Sequence, residues 1–236
     1  IIMNAHRINE GIFPNIKNSK GTDFFFIEDE EPESAAKQIV DLVTTRLPKY
    51  SNVKPTDIQV LTPMQKSIIG ANNLNIEIQK AINPQKECLY RMGREFRIND
   101  KVMQIRNNYD KEVFNGDIGT IVDIDFEEKE LSVMFDGQLI KYDLSELDEL
   151  VLAYATTIHK SQGSEYPIVI IPVMMTHFVM LQRNLIYTGI TRAKKILVLV
   201  GTRKALSYAV HHVTVNQRNT RLKERIAEKT QETIMR

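Results

Sequence analysis

The sequence has few of the residues that mark secreted or membrane-spanning proteins. Its 236 residues include one cysteine, Cys88, and no tryptophan. A lone cysteine cannot form an internal disulfide, so a disulfide-stapled secreted domain is excluded and a reducing cytoplasm is the simplest setting. No apolar run approaches the roughly 18 residues of a membrane-spanning helix, and the first residues show no signal-peptide pattern. We therefore expect a cytoplasmic protein with no membrane partner.

An excess of charge of either sign is also missing. The chain has 31 basic and 30 acidic residues, which gives a net charge of +1. This balance excludes a strong basic field, so any contact with nucleic acid must come from a local patch. The chain begins with Ile1 rather than Met, as a piece of a longer protein does. Its length is sufficient for one main core and a small additional domain.

A phosphate-binding loop is missing as well. None of the ten glycines is followed by lysine, which excludes the pattern G-x-x-x-x-G-K-[S/T]. The acidic run Glu28–Glu31 follows a predicted strand, as in some magnesium sites, but no phosphate loop precedes it. We interpret this run as the start of a helix over Glu33–Leu47, whose apolar residues recur at helical spacing. The adjacent His211 and His212 do not share a helix face, so we also predict no metal site.

Apolar runs alternate with helical periods over most of the chain. A helix is predicted to begin with Asn72 or Asn73 as its cap and to stop at Asn83. The tail, Asn216–Arg236, is predicted to be a solvated helix. The alternation of strands and helices predicts an α/β fold in which a parallel sheet has helices on both faces. The predicted strands are Asp23–Ile27, Asp57–Leu61, Leu150–Tyr154, Ile168–Val173 and Ile196–Val200.

The pattern changes between residues 91 and 148. Long helical periods give way to short predicted strands, with turn signals at Asn115-Gly116 and Asp136-Gly137. We predict a small antiparallel β-barrel inserted into the α/β domain. Basic and aromatic residues are interleaved at its start, and they either bind nucleic acid or belong to a purely structural insertion. These residues are Tyr90, Arg91, Arg94, Phe96, Arg97, Lys101, Arg106 and Tyr109.

A polar turn lies between two of the predicted strands. The stretch Ala155–Pro167 offers several donors suited to phosphate oxygens, and its carboxylate, Glu165, can accept from a sugar hydroxyl. Thr156 or Thr157 is placed to cap a helix of one or two turns, and Gly163 to end it. A helix start just beyond a strand directs backbone N–H groups at an anion. The alternative interpretation is a capped turn with solvated polar groups.

A second stretch, Gln182–Lys195, favours the first interpretation. It contains Tyr187-Thr188-Gly189-Ile190-Thr191-Arg192 and leads into the last predicted strand. Together with Thr157–Pro167 it resembles motifs V and VI of superfamily 1 helicases, most of all the RecD/TraA-type branch that includes the exodeoxyribonuclease V alpha subunit. The resemblance implies a RecA-like domain of the P-loop-NTPase type (domain 2A, residues 1–90 and 149–236). An SH3-like β-barrel (domain 2B, residues 91–148) would interrupt it.

The same resemblance assigns roles to individual residues. Arg192 is implied to be the catalytic arginine finger that neutralises charge on the γ-phosphate of ATP. Gly163, Glu165 and Tyr187 are implied to contact the nucleotide as well. Mg²⁺ would be held by an upstream RecA-like domain that carries the Walker A loop. The implied contacts to DNA are Thr62, Thr157, His159, Lys160, Ser161 and Gln162.

These implications define the expected function. We expect the second motor domain of an ATP-dependent DNA helicase that moves along single-stranded DNA and unwinds duplex DNA in repair or recombination. Its partners would be single-stranded DNA, duplex junctions and the upstream domain, without which the chain is expected not to hydrolyse ATP. Two alternatives stay open from the sequence. One is a non-catalytic module that binds nucleic acid or protein, and the other is the helicase part of a conjugative relaxase.

Overall fold

The computed structural model describes residues 1–19 and 21–213. Lys20 and the tail Asn216–Arg236, predicted to be a solvated helix, lie outside the described residues. The helices are α1 (Ile2–Asn9), α2 (Pro32–Asp41), α3 (Leu47–Ser51), α4 (Ala71–Ile82), α5 (Arg183–Ile190) and α6 (Arg203–His211). The strands are β1 (Phe24–Glu28), β2 (Ile58–Thr62), β3 (Leu89–Arg91), β4 (Arg94–Phe96), β5 (Lys101–Gln104), β6 (Ile118–Asp125), β7 (Glu130–Phe135), β8 (Gln138–Tyr142), β9 (Leu150–Leu152), β10 (Ala155–Thr157), β11 (Tyr166–Val173) and β12 (Ala193–Gly201).

Five strands form a parallel sheet in the order β1-β12-β11-β2-β10. The interior strand β11 is apolar on both sides, as expected for a strand that is covered on both faces. Its alternate side chains point in opposite directions, so Ile168 and Ile170 join one buried cluster while Val169 and Ile171 join another. The predicted α/β fold with a parallel sheet is confirmed.

Helices cover both faces of this sheet. Residues of α2 and α4 pack in the cluster that contains Ile168, and residues of α1, α5 and α6 pack in the cluster on the opposite face. The predicted helix over Glu33–Leu47 is longer than expected, because a π-helical turn at Leu42–Arg46 joins α2 to α3. Within the two described ranges, no helix has the length and apolar character needed to cross a membrane.

The predicted cap of α4 was wrong. Gly70 is the residue that precedes the helix, and it makes no side-chain cap. Asn72 and Asn73 both lie inside the first turn. The amide of Asn73 donates backwards to the carbonyl of Ile68 at 2.7 Å. The sequence pattern therefore identified the helix but placed its start two or three residues too late.

The second large sheet is antiparallel, with the strand order β8-β7-β6-β5-β9. Asp136-Gly137 joins β7 to β8 with two positive φ angles, 39° and 88°, as the sequence predicts for a tight hairpin. Asn115-Gly116 instead lies in the long loop between β5 and β6. The sheet extends beyond residue 148, the predicted end of the insert, because Leu150–Leu152 pairs with β5. A separate hairpin, β3–β4, has its tip at Met92-Gly93.

The strand predicted at Leu150–Tyr154 belongs to a different sheet from the one expected. Leu150–Leu152 completes the antiparallel sheet, and the chain enters the parallel sheet only at Ala155, after Ala153 and Tyr154. Leu150 and Leu152 in the first segment and Ala153, Tyr154 and Ala155 after it are all buried and apolar. Hydrophobicity alone therefore gave no sign of the change from one sheet to the other.

Candidate nucleotide and DNA site

The polar turn connects opposite edges of the parallel sheet. β10 ends at Thr157, which pairs with the last residue of β2, whereas β11 begins at Tyr166 beside the first residue of β12. Between them, Ile158–Ser161 forms one turn of 3-10 helix, and Gly163 has a φ of 89° that favours glycine. The segment thus runs from the carboxyl edge of the sheet to its amino edge. The predicted helix is present as a single turn, and Thr157 precedes it without a side-chain cap.

The predicted DNA contacts divide into accessible and buried side chains. His159, Lys160 and Gln162 are exposed, and Thr157 is half-buried. Thr62 is fully buried and its hydroxyl donates to the carbonyl of Ile69 at 2.9 Å. Four side chains of the set are therefore accessible to a ligand.

Ser161 is buried in the same way as Thr62. Its hydroxyl donates to the carbonyl of Ile158 at 2.7 Å, inside its own turn. Neither hydroxyl is free to contact a ligand, so the side-chain contacts expected from Thr62 and Ser161 are corrected. Both residues shape the loops that carry the accessible side chains.

Arg192 joins the two polar stretches. α5 ends at Ile190, so Arg192 lies in the turn before β12 and not within the helix. Its guanidinium donates to the carbonyl of Thr188 at 3.2 Å, the carbonyl of Ser164 at 3.2 Å and the hydroxyl of Thr191 at 3.3 Å. All three acceptors are neutral. The side chain is thus held in place while its positive charge stays available to an anion.

Glu165 lies beside this arginine at the amino edge of the sheet. Its carboxylate pairs with Lys194 at 2.9 Å, and both side chains are more than half exposed. Lys194 lowers the pKa of Glu165 by hydrogen bonding and by its charge, with a smaller contribution from Arg192. Sequence reasoning missed Lys194, because the start of β12 carries two adjacent lysines that look equivalent. The carboxylate is held ionised, ready to accept hydrogen bonds.

Gly163 and Tyr187 differ in their surroundings. The space beside Gly163 is open, so its conformation rather than close packing requires glycine. Tyr187 is half-buried and packs against the cluster formed by α5 and the sheet.

Gly189 is a packing residue that sequence reasoning missed. A Cβ atom at this position would lie 2.9 Å from Cδ1 of Ile171 and 3.3 Å from Cδ1 of Ile158. Only glycine therefore lets α5 pack this closely on β11 and on the polar turn. The contact seats the segment that carries Arg192 directly on the segment that carries His159 and Lys160. One glycine within a helical pattern gives no indication of this role in the sequence.

A groove of about 480 Å³ lies beside the polar turn. It is bounded by the turn, by α4 and by the tip of the β3–β4 hairpin, and Thr157 and Lys160 form part of its wall. Tyr90 and Met92 of the hairpin contribute exposed apolar surface to it, with 64% and 69% of their surfaces accessible. The groove therefore combines hydrogen-bond donors and a cation on one side with an aromatic ring on the other.

The basic and aromatic cluster expected at the start of the insert does not form one surface. Phe96, Arg97 and Lys101 are buried. Arg97 donates to the carbonyl of Asn83, and Lys101 donates to the carbonyl of Thr56 and to Oε1 of Gln59. Lys101 joins the antiparallel sheet to β2 of the parallel sheet, whereas Arg97 joins the end of the β3–β4 hairpin to the end of α4. The nucleic-acid interpretation therefore does not apply to these buried residues.

Within residues 1–19 and 21–213, no group of three or more His, Cys, Asp or Glu residues is arranged to hold a metal ion. His211 caps its own helix, with Nδ1 2.8 Å from the carbonyl of Ser207, and His212 stacks on Tyr208.

Two family models match the regions just described. The SH3 domain of ATP-dependent RecD-like DNA helicases matches residues 74–135, and the C-terminal domain of UvrD-like helicases matches residues 152–200. An ATP-dependent RecD2 DNA helicase of Deinococcus radiodurans is 34% identical over 96% of this chain. The chain belongs to the RecD-type superfamily 1 helicases. The second match contains the polar turn and Arg192, and the first contains most of α4 and three of the five strands of the antiparallel sheet.

Other relatives place this RecD-type chain in context. The RecBCD enzyme subunit RecD of Haemophilus influenzae is 29% identical over 70% of the chain. The chain spans 30% of the length of the Deinococcus relative and 24% of the Haemophilus one. A crystal structure of the Pif1 helicase from Bacteroides, in complex with ADP-AlF3 and single-stranded DNA, shares the fold with a TM-score of 0.53 at 13% identity. That match covers 98% of this chain and 53% of the Pif1 chain.

Proposed function

We propose that this chain is the second motor domain of an ATP-dependent DNA helicase that moves along single-stranded DNA. Arg192 is the observation that carries the proposal. It belongs to a RecD-type helicase chain, it bonds to both polar stretches, and its three acceptors are all neutral. A cation held in this way suits the charge that develops on a transferring phosphoryl group.

The nucleotide side of the proposal uses the amino edge of the parallel sheet. Arg192 would neutralise the γ-phosphate, Glu165 would accept from the ribose, and Gly163 and Tyr187 would line the approach. ATP supplies the phosphoryl group when a separate domain provides the phosphate cradle and the magnesium ligands. We assign no magnesium ligand to this chain, and the chain alone should not hydrolyse ATP.

The DNA side uses the carboxyl edge and the groove. Thr157, His159, Lys160 and Gln162 would contact the sugar–phosphate chain, which positions a strand without reading its sequence. A base that enters the groove would stack on Tyr90, since aromatic rings accept any base. A DNA strand could therefore be held by the donors of the polar turn on one side and by the ring of Tyr90 on the other.

The two sides are connected by the segment between Thr157 and Tyr166. This domain would close on the domain that carries the phosphate cradle when Arg192 contacts the γ-phosphate. It would open again when the γ-phosphate is lost. Because Ser164 accepts from Arg192 and Lys160 lies four residues earlier, a shift of the arginine is passed to the DNA-contacting turn within one short segment. Hinge closure driven by different nucleotide contacts in the two states would move the strand stepwise.

Substitution of the arginine tests this function in the full-length helicase. Arg192→Ala should lower DNA-stimulated ATP hydrolysis about 1000-fold, while affinity for single-stranded DNA changes little. Arg203→Ala is the matched control, because it removes the same charge from an exposed site where Arg203 pairs with Glu28 at 3.1 Å. The control should keep its activity.

Two outcomes would contradict the proposal. Full ATP hydrolysis by Arg192→Ala would remove the arginine from its role. Unchanged DNA affinity after Lys160→Ala and His159→Ala together would favour a module that binds its partner elsewhere on the chain.

A further inference from the structure

We propose that Asn75 is a positioning residue for the DNA-contacting turn, at the end of an amide ladder on α4 that ties this turn to the antiparallel sheet. The ladder consists of Asn75, Gln79 and Asn83. The proposal rests on the proposed function, because it takes Lys160 and its neighbours to contact DNA.

Asn75 occupies the free edge of the parallel sheet. β10 is the last strand of that sheet and consists of only Ala155, Thr156 and Thr157, which pair with β2 on one side. On the other side, Nδ2 of Asn75 donates to the carbonyl of Ala155 at 2.8 Å, and Oδ1 accepts from the N–H of Ala155 at 2.8 Å. The amide thus makes both hydrogen bonds that a neighbouring strand would make to this residue.

The same face of α4 continues the pattern. Residues four apart on a helix lie above one another, and Asn75 and Gln79 have this spacing on α4. Asn83 directly follows the last residue of α4, and the three side chains form one buried polar stripe. Nε2 of Gln79 donates to the carbonyl of Glu95 at 2.9 Å and to Asp100 at 2.6 Å. Nδ2 of Asn83 donates to the carbonyl of Ile98 at 2.8 Å and to Asp100 at 2.8 Å.

Asp100 closes the connection. It immediately precedes β5, and besides the two amides it accepts from the backbone N–H of Arg97 at 2.8 Å and from the hydroxyl of Tyr154 at 2.9 Å. Tyr154 directly precedes Ala155. The antiparallel sheet and the strand that begins the turn are therefore bonded to one helix and to each other through buried groups.

This geometry has a direct consequence for the turn. Thr157 ends β10 and Lys160 follows three residues later, so any displacement of the short strand moves the exposed donors. Directional hydrogen bonds fix orientation, which apolar packing does not do. Asn75 is thus placed to hold the donors in register, while it touches no DNA itself.

A double-mutant cycle in the full-length helicase tests the role, with a labelled oligothymidylate as the probe. Lys160→Ala alone should weaken binding about tenfold and reduce the salt dependence by the contribution of one phosphate contact, a slope change of about 0.7. In the Asn75→Ala background the same Lys160 change should weaken binding less than about twofold, because the ammonium is already displaced. A residue that only adds stability would leave the two effects additive.

Asn73→Ala is the matched control. It removes an amide from the same helix that also bonds to a backbone carbonyl, that of Ile68, but has no bond to β10. In this background Lys160→Ala should keep its full effect. Asn75→Asp retains the acceptor for the Ala155 N–H and loses the donor, so it should show an intermediate loss. If Asn75→Ala does not fold, the cycle of Asn75→Asp with Lys160→Ala tests the positioning role instead.

The outcomes separate the two proposals. Additive effects of Asn75 and Lys160, together with a normal effect of Lys160→Ala, overturn the positioning role and leave the helicase function intact. No effect of Lys160→Ala in the otherwise unchanged protein overturns the DNA side of the function itself, and the role of Asn75 with it.

Discussion

The two faces of the parallel sheet are covered in different ways. On one face, α1, α5 and α6 pack through apolar side chains such as Ile171, Leu185 and Ile190. On the other face, apolar packing is supplemented by a buried polar joint between the antiparallel sheet and the parallel sheet. Apolar contact favours any close approach, whereas hydrogen bonds require particular directions. The comparison identifies the face on which buried polar groups fix the orientation of the neighbouring elements.

The joint is built from two neighbouring residues with opposite charges. Asp100 bonds to α4 and Tyr154, and Lys101 donates to the carbonyl of Thr56 and to Gln59, each at 2.9 Å. Burial lowers the pKa of Lys101 to about 8. Burial also raises the pKa of Asp100, although four donors counteract it. These groups are costly to bury, so the orientation they fix comes at some expense of stability.

Removal of the Asp100 carboxylate should have the largest effect. Asp100→Ala removes the acceptor of the Tyr154 hydroxyl and one of the two acceptors of each amide of Gln79 and Asn83. We expect the free energy of unfolding to fall by about 4 kcal/mol. Ile171→Val is the comparison on the apolar face and should cost about 1 kcal/mol. Urea denaturation measures both. A smaller loss for Asp100→Ala than for Ile171→Val would break the distinction between the two faces.

His177 tests the comparison of polar and apolar packing further, because the free energy of burying this side chain depends on pH. It is fully buried, its Nε2 lies 3.3 Å from the hydroxyl of Ser67, and its Nδ1 has no partner among the described residues. Burial lowers its pKa from 6.5 to about 4. Between these values the unfolded chain binds the proton more readily than the folded chain. The free energy of unfolding should therefore fall as pH drops from 6.5 towards 4, by up to about 3 kcal/mol.

His177→Gln keeps a polar group near Ser67 but does not titrate. Urea denaturation at several pH values should show that this variant lacks the His177 part of the acid dependence. If the free energy of unfolding falls with pH equally in the variant and in the original protein, groups other than His177 cause the loss of stability.

Of the changes expected at Asp100, His177 and Gly189, Gly189→Ala should lower the free energy of unfolding the least. The new Cβ would press on Ile171 and Ile158, while alanine favours the helix, and the net loss should be about 1 kcal/mol. Ile171→Val removes the Cδ1 atom that the Cβ would approach most closely. The double variant should therefore be more stable than the sum of the single losses predicts. Strict additivity in urea denaturation would contradict the proposed close contact.

Much of the fold follows from short-range pattern. The apolar runs gave β1, β2, β11 and β12 to within a few residues, because strands buried on both faces require uninterrupted apolar sequence. Asp136-Gly137 gave its hairpin because few residue pairs accept two positive φ angles. The polar stretches indicated the proposed nucleotide and DNA regions through their resemblance to helicase motifs.

The remaining features depend on contacts between distant residues. Thr62 and Ser161 look like ordinary hydroxyl donors in the sequence, and only the fold shows that their hydroxyls are used internally. The cations Arg97 and Lys101 look solvated in the sequence, and only the fold shows that Arg97 bonds to the end of α4 and Lys101 to the parallel sheet. The i, i+4, i+8 spacing of Asn75, Gln79 and Asn83 was visible, but such a stripe normally faces solvent. Its partners lie on other elements, which no local pattern identifies.

The strand order of the antiparallel sheet determines how insertions in its loops affect the rest of the fold. The chain enters that sheet through β5 and leaves through β9, and these strands are hydrogen-bonded neighbours with Val102 opposite Leu152. The ends of this long excursion therefore lie one strand spacing, about 5 Å, apart. The chain between β5 and β9 therefore adds little to the distance that must be spanned between β2 and β10, however many residues it contains. Loops at its far end, such as residues 105–117, can lengthen or shorten over evolutionary time without separating the strands that carry the polar turn.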